Sequence, residues 1–206
     1  MAAIEMIERN GMPYYLLPAH RNSYRHDRTW DRRQFVLESP NLLHWELAGY
    51  IPSEDPVFLH EGKIAETITP GQLKIVMRTA RYDNERPLDP SLAYSSISND
   101  GGQTWSTARQ ELELPNFRSK AFFGKDANGT HIYVYTDRED RRGLFYKTRK
   151  AGGDRSSAKK FYWNDDQNSY PSLVEDDPGT WLAMWDSSGT PDRRRTAIRF
   201  GRLKID

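Results

Sequence analysis

Arg78 closes the apolar run Ile75-Val76-Met77, and a basic side chain at the end of such a run needs a partner. A structural ion pair would satisfy it. So would a bound carboxylate, which a planar guanidinium can hold through two parallel charge-assisted bonds. Arg142 ends the stretch Asp137-Arg138-Glu139-Asp140-Arg141-Arg142, a charge run that reads as a solvated loop. Glu61, between His60 and Gly62, reads as a polar residue entering a strand, with Glu66 close behind it. Tyr170, in Ser169-Tyr170-Pro171-Ser172-Leu173, opens a new run and is also placed to pack. The histidines His20, His26, His44, His60 and His131 are too scattered for a metal site. With no cysteine there is neither a thiolate site nor a disulfide framework. No phosphate-binding or dinucleotide glycine motif appears, so neither a metal nor a cofactor is expected.

The elements that would carry these side chains are announced by Ser98-Asn99-Asp100-Gly101-Gly102-Gln103-Thr104-Trp105. The stretch reads S-x-D-x-G-x-x-W, the pattern of an Asp-box, a β-hairpin that closes the outer edge of a β-propeller blade. Asp100 is suited to accept backbone N–H bonds inside a tight turn. Gly101 and Gly102 supply the positive φ that such a turn demands. Trp105 returns a large ring beneath the turn, with its indole N–H seeking an acceptor. Ser98, Asp100, Gly102 and Trp105 are therefore assigned a structural part, away from any substrate.

Units of about 45–60 residues, the size of propeller blades, follow one another along the chain. The first runs from Tyr14 to about Pro52 and holds Tyr14–Leu17, Gln34–Ser39 and Leu42–Trp45. The second runs from about Val57 to Pro115, with strands expected at Ile64–Ile68, Leu73–Thr79 and Ala93–Ser98. The third starts near Lys120, with strands at Thr130–Tyr135 and Gly143–Thr148. The fourth starts near Tyr170, with strands at Thr180–Trp185 and Thr196–Ile205. Two degenerate boxes fit the repeat: Glu38 to Trp45, which ends on Trp45 as the second unit ends on Trp105, and Lys150 to Asp154. Long amphipathic helical periods are missing.

Composition agrees with a twisted all-β protein. Hydrophobic residues make up 36% of the 206, yet aromatics make up 12%, a density that argues against disorder. The net charge of +1, from 30 basic and 29 acidic residues, gives no global field toward nucleic acid or an anionic membrane. Nothing approaches an 18-residue apolar run, so no transmembrane helix is expected. Met1-Ala2-Ala3-Ile4-Glu5 lacks the parts of a secretion signal, which points to a soluble, cytoplasmic protein unless an N-terminal piece precedes it.

From about Glu38 to Asp206 the chain resembles the later blades of the sialidase (neuraminidase) superfamily, including its Asp-box-repeat relatives. Glu61-Gly62-Lys63-Ile64-Ala65-Glu66, with Gly71-Gln72-Leu73 and Val76-Met77-Arg78, resembles the segment that supplies a catalytic glutamate and the second arginine of a triad. Arg142-Gly143-Leu144-Phe145-Tyr146 resembles the segment of the third arginine, with Arg141 and Arg118 as alternatives. Ser169-Tyr170-Pro171-Ser172-Leu173 resembles the segment of the nucleophilic tyrosine, although Pro171 stands where that motif commonly has a small residue. The resemblance implies a β-propeller, six-bladed in the family with about four blades here, as a single domain over 1–206 incomplete at its N-terminus. It implies Glu61 (or Glu66) as base for a Tyr170 nucleophile, and Arg78 and Arg142 as clamps on the carboxylate of an acidic sugar, gathered at one mouth of the central channel. A phenol is a weak nucleophile at neutral pH, so a neighbouring base is needed; tyrosine-nucleophile sialidases stand outside the usual two-carboxylate scheme.

The family's first-blade arginine and acid/base aspartate find no counterpart in a recognisable motif; Asp27 is the nearest nominee. Weak or no hydrolysis by this chain is expected in consequence. Two other functions fit the same sequence. Glu38 to Trp45 also resembles a blade motif of five-bladed furanosidases and mannoside phosphorylases, which use carboxylates on neutral sugars. A non-catalytic glycan- or protein-binding propeller is the other.

Overall fold

The computed structural model describes residues 4–24, 30–54, 57–80, 82–83, 86–87, 92–117, 119–136, 141–189 and 196–205. All regular elements among them are strands. They fall into two compact units, Met1–Leu112 and Glu113–Asp206.

The first unit holds two blades. β1 (Glu5–Arg9), β2 (Met12–Tyr24), β3 (Trp30–Ser39) and β4 (Glu46–Tyr50) form one antiparallel sheet in sequence order. β5 (Phe58–Glu66) and β6 (Leu73–Ala80) begin the next. A two-stranded ribbon, β7 (Tyr82–Asp83) and β8 (Arg86–Pro87), intervenes before β9 (Leu92–Ser98) and β10 (Arg109–Pro115) complete the sheet in the order β10-β9-β6-β5. Period-two alternation on β6 sends Leu73, Ile75 and Met77 into one core with Leu16, Val36, Leu59, Ile64 and Trp105. At roughly 1.5–3 kcal/mol for each fully buried Leu, Ile or Met, this cluster is the main force holding the two blades together.

The second unit repeats the plan. β11 (Phe122–Lys125), β12 (His131–Thr136), β13 (Gly143–Arg149) and β14 (Lys159–Trp163) form a four-stranded antiparallel meander. β15 (Gln167–Asp177), β16 (Thr180–Ser188) and β17 (Thr196–Lys204) form a three-stranded one. Phe122, Ile132, Val134, Leu144, Trp181 and Trp185 are among the residues of their shared core.

The Asp-box joins the third and fourth strands of its blade, as its residue types require. Asp100 Oδ1 accepts the amides of Gln103 (3.1 Å) and Thr104 (2.9 Å) and the Ser98 hydroxyl (2.8 Å). Gly101 and Gly102 take φ of 67° and 90°. Trp105, buried at 7% exposure, donates its indole N–H to Gly102 O at 3.0 Å. Partial burial pushes the Asp100 carboxyl upward, but bonds from Thr104, Ser98 and Gln103 outweigh it and hold the group below its ordinary value. Arg9 of β1 ties the turn to the neighbouring blade, donating to Gly101 O while paired with Glu38 at 2.6 Å.

The first blade carries a neutral, shorter version. Asn41 Oδ1 accepts from Leu43 N and His44 N, both at 3.0 Å, and Trp45 Nε1 donates to Leu42 O at 3.1 Å. Leu42 stands in the left-handed region at φ 64°, where the second blade has Gly101. The clasp starts at Ser39, one residue into the expected Glu38–Trp45 box, and Leu42–Trp45 forms its turn. Lys150–Asp154 turns without an Asx clasp, through Gly153 N to Lys150 O at 3.1 Å. What it shares with the Asp-box lies just beyond: Ser156 brackets Thr148 (2.7 and 2.9 Å) as Ser106 brackets Ile97 (2.9 and 3.0 Å).

Several strands begin or end elsewhere than the sequence pattern indicates. β5 starts at Phe58 and stops at Glu66, because Thr67 and Ile68 enter a turn closed by Thr67 N to Gln72 O at 2.7 Å. β1 precedes the expected start of the first unit, and Tyr170 lies inside β15 instead of opening it.

Candidate functional site

Glu61 occupies a β-bulge. β5 and β6 are in register at His60↔Arg78 and again at Lys63↔Val76, so Glu61 and Gly62 together face one residue of the partner strand. Glu61 has φ of 54°, a left-handed conformation that costs a non-glycine residue roughly 1–3 kcal/mol. Three neighbours hold it there. The fully buried Gln34 accepts Gly62 N–H at 2.9 Å and anchors its own amide on Ala19 O (2.6 Å) and Phe35 O (3.1 Å). His20 Nδ1 lies 3.4 Å from Glu61 N. Gly62 is obligatory, because a Cβ would sit 2.7 Å from Ile75 Cδ1 and 3.0 Å from Gln34. The bulge turns Glu61 toward Arg78, whose Nη1 donates to Glu61 Oε2 at 2.9 Å with both side chains largely buried. Arg78 Nε is buried without a partner among the described residues.

Tyr170 repeats this geometry in the second unit. β15 and β16 are in register at Ser169↔Asp186 and again at Ser172↔Met184, and Tyr170, in the bulge between, has φ of 55°. Its amide donates to the buried Ser119 Oγ at 3.0 Å, while its side chain is 40% exposed. Asn168, two residues earlier and fully buried, organises the surroundings. Its Nδ2 donates to Arg142 O (2.8 Å), Asn164 Oδ1 (2.6 Å) and Asp166 O (3.1 Å), and its Oδ1 accepts Trp185 Nε1 at 3.2 Å. The Arg142 backbone is thus fixed to the strand that carries Tyr170. The Arg142 guanidinium is half-exposed, 4.0 Å from the Asp165 carboxylate.

The structure thus joins Glu61 to Arg78 in one unit, and Tyr170 to the Arg142 backbone in the other. Of the alternatives, Glu66 accepts Gly71 N–H at 2.8 Å and closes the β5–β6 turn. Arg141 takes φ of 52° and gives its carbonyl to Asn168 N at 2.6 Å. Arg118 and Asp27 lie outside the described residues. Gln34, Ser119 and Asn168 escape sequence reasoning altogether; no motif surrounds them, and their role is visible only once the bulges are. Among the described residues no group of His, Asp or Glu is arranged to hold a metal ion, and no helix is long and apolar enough to cross a membrane.

Chemically, the first unit offers a charge-compensated carboxylate–guanidinium pair beside a braced bulge. The second offers an exposed phenol on a fixed backbone, with a guanidinium within the same loop cluster.

A family model described as BNR repeat-like domain matches residues 14–182. No curated protein matches the sequence. Among solved structures, the NanB sialidase of Streptococcus pneumoniae is similar with a TM-score of 0.70 at 12% identity, over 99% of this chain and 31% of that one. A protein of unknown function from Dyadobacter fermentans gives 0.68 at 18% identity, over 98% of this chain and 52% of that one. A GH43 β-1,3-galactosidase gives 0.66 at 12% identity, over 98% of this chain and 75% of that one. The chain therefore spans about a third of NanB and about half of the Dyadobacter protein. These likenesses establish the fold as an all-β propeller of the sialidase and GH43 structural type, with four blades in this chain.

Proposed function

The chain belongs to the BNR repeat-like family, and from that premise we propose that it acts on glycans, as a sialidase-type glycoside hydrolase directed at a terminal acidic sugar. One observation carries the reading. Glu61 and Tyr170, the left-handed non-glycine residues in the β5–β6 and β15–β16 bulges, are the same two residues that the sialidase resemblance nominates for chemistry. Strain held in place by buried neighbours is a recognised mark of functional positions. The fold shared with the NanB sialidase and with a galactosidase supports a glycan as substrate.

In this reading the Tyr170 phenolic oxygen attacks the anomeric carbon. A glycosyl–tyrosine bond forms as the bond to the leaving group breaks, and water then hydrolyses the intermediate. Arg142, whose backbone is tied to the strand of Tyr170, holds the sugar carboxylate. Glu61 stays paired with Arg78 through Oε2. The test uses an aryl sialoside with a good leaving group, which needs little protonation, beside the matching aryl galactoside. Slow turnover of the sialoside alone, abolished by Tyr170→Phe, is expected; turnover indifferent to Tyr170→Phe would refute it. A neutral-sugar reading draws support from the engagement of Arg78 by Glu61. Equal binding of acidic and neutral glycans would select that reading instead.

A further inference from the structure

The two bulges correspond residue by residue in register. His60↔Arg78 in the second blade corresponds to Ser169↔Asp186 in the fourth, and Lys63↔Val76 corresponds to Ser172↔Met184. Glu61 and Tyr170 each follow the first of these pairs by one position, with φ of 54° and 55°. In the second blade the residue one step along the bulge touches the cross-strand residue, since Glu61 and Arg78 lie 2.9 Å apart. By the same register Asp186 is the cross-strand residue one bulge step from Tyr170.

Asp186 alternates with Trp181, Ala183, Trp185 and Ser187, which are buried, so its side chain leaves β16 on the opposite face. It is half-buried there, and its Oδ1 is shielded from solvent with no hydrogen-bond partner among the described residues. A carboxylate oxygen withdrawn from water and left without a donor is costly unless something is to be bound or deprotonated there. The phenol one bulge step away is such a donor.

We infer that Asp186 is the proton acceptor of Tyr170. The inference rests on the reading of Tyr170 as nucleophile, and it moves the base from Glu61, already engaged by Arg78, to a carboxylate on Tyr170's own blade. As the phenolic oxygen forms its bond to the anomeric carbon, the phenolic proton passes to Asp186, and the electron pair of the breaking bond leaves with the aglycone. The two groups are not hydrogen-bonded in the structure; such contacts in unliganded sites are often long and tighten when substrate arrives.

The experiment uses a sialosyl fluoride with a second fluorine on the carbon beside the anomeric centre. Fluoride leaves without an acid, and the second fluorine slows breakdown of the adduct, so labelling reports only nucleophile and base. Peptide mass spectrometry locates the adduct. Wild-type protein should be labelled at Tyr170, and Asp186→Asn should be labelled about 10²–10⁴-fold more slowly. Asp186→Ala leaves no unpaired amide to disturb folding, and formate should restore its labelling at least about tenfold, which a purely structural role would not allow. Labelling of Asp186→Asn at the wild-type rate, or Asp186→Ala slow and deaf to formate, overturns the inference and leaves the Tyr170 nucleophile standing. Absence of any adduct on Tyr170 in the wild type overturns both.

Discussion

Replacing Gln34 by leucine tests how the Glu61 bulge is held. The side chain is 1% exposed, and its carbonyl accepts the buried Gly62 N–H at 2.9 Å. Leucine leaves that amide without an acceptor, which costs about 1–3 kcal/mol. Ala19 O and Phe35 O each lose a donor, at 2.6 and 3.1 Å, but a carbonyl has a second lone pair, so these losses are smaller, about 0.5 kcal/mol each. Burying the leucine returns about 1 kcal/mol. The net expectation is a destabilisation of about 2 kcal/mol, read as a urea midpoint lower by about 1 M with an unchanged slope. Hydrogen exchange supplies the local readout, since the Gly62 amide should lose protection more than the Ile75 and Met77 amides of β6. A loss below about 0.5 kcal/mol, or uniform loss of protection across the sheet, would show that Gln34 does not hold the bulge.

Asp100→Ala should destabilise by about 1–2 kcal/mol in denaturant titration, because the amides of Gln103 and Thr104 that it releases can reach water. The Asp100 carboxyl is held below its ordinary value of 3.8, so its stabilising share is complete above about pH 5 and is lost as pH falls through the lowered value. The stability gap between wild type and Asp100→Ala should accordingly close on acidification below about pH 4; a gap that widens would refute the sign. Gly102→Ala should cost about 2 kcal/mol or more, because φ is 90° and the new Cβ would lie 2.8 Å from Cδ1 of the fully buried Leu16. Thermal unfolding of that variant is the check, and an unchanged midpoint would mean that the turn is not packed as described.

The parts of the fold legible in the sequence are those where residue type dictates geometry. Asp100, the glycine pair and Trp105 could serve in few other turns, and the apolar alternation of Leu73 to Met77 marks an interior strand. Outer strands carry no such mark. Glu46–Tyr50, Arg109–Pro115 and Lys159–Trp163 lie at sheet edges, exposed enough for charged residues to be tolerated. The first blade's box is obscured because Asn41 replaces an aspartate and stands four positions before its Trp, against five in the second blade. Of the candidate site, the residue types of Glu61, Arg78, Arg142 and Tyr170 are legible in the sequence, but the left-handed backbone of Glu61 and Tyr170 is held by Gln34 and Ser119 from distant sequence, and nothing in either side chain announces it.

At positions 61 and 170 the backbone alone would favour glycine, which enters the left-handed region without steric cost. Tyr170→Gly would relieve that strain, within the limits of what the ring covers, whereas Glu61→Gly would relieve it only by leaving the largely buried Arg78 guanidinium without its carboxylate. The two bulges thus differ in what keeps their side chains: at position 61 an ion pair offsets the strain, while at position 170 an exposed phenol carries it without such a partner.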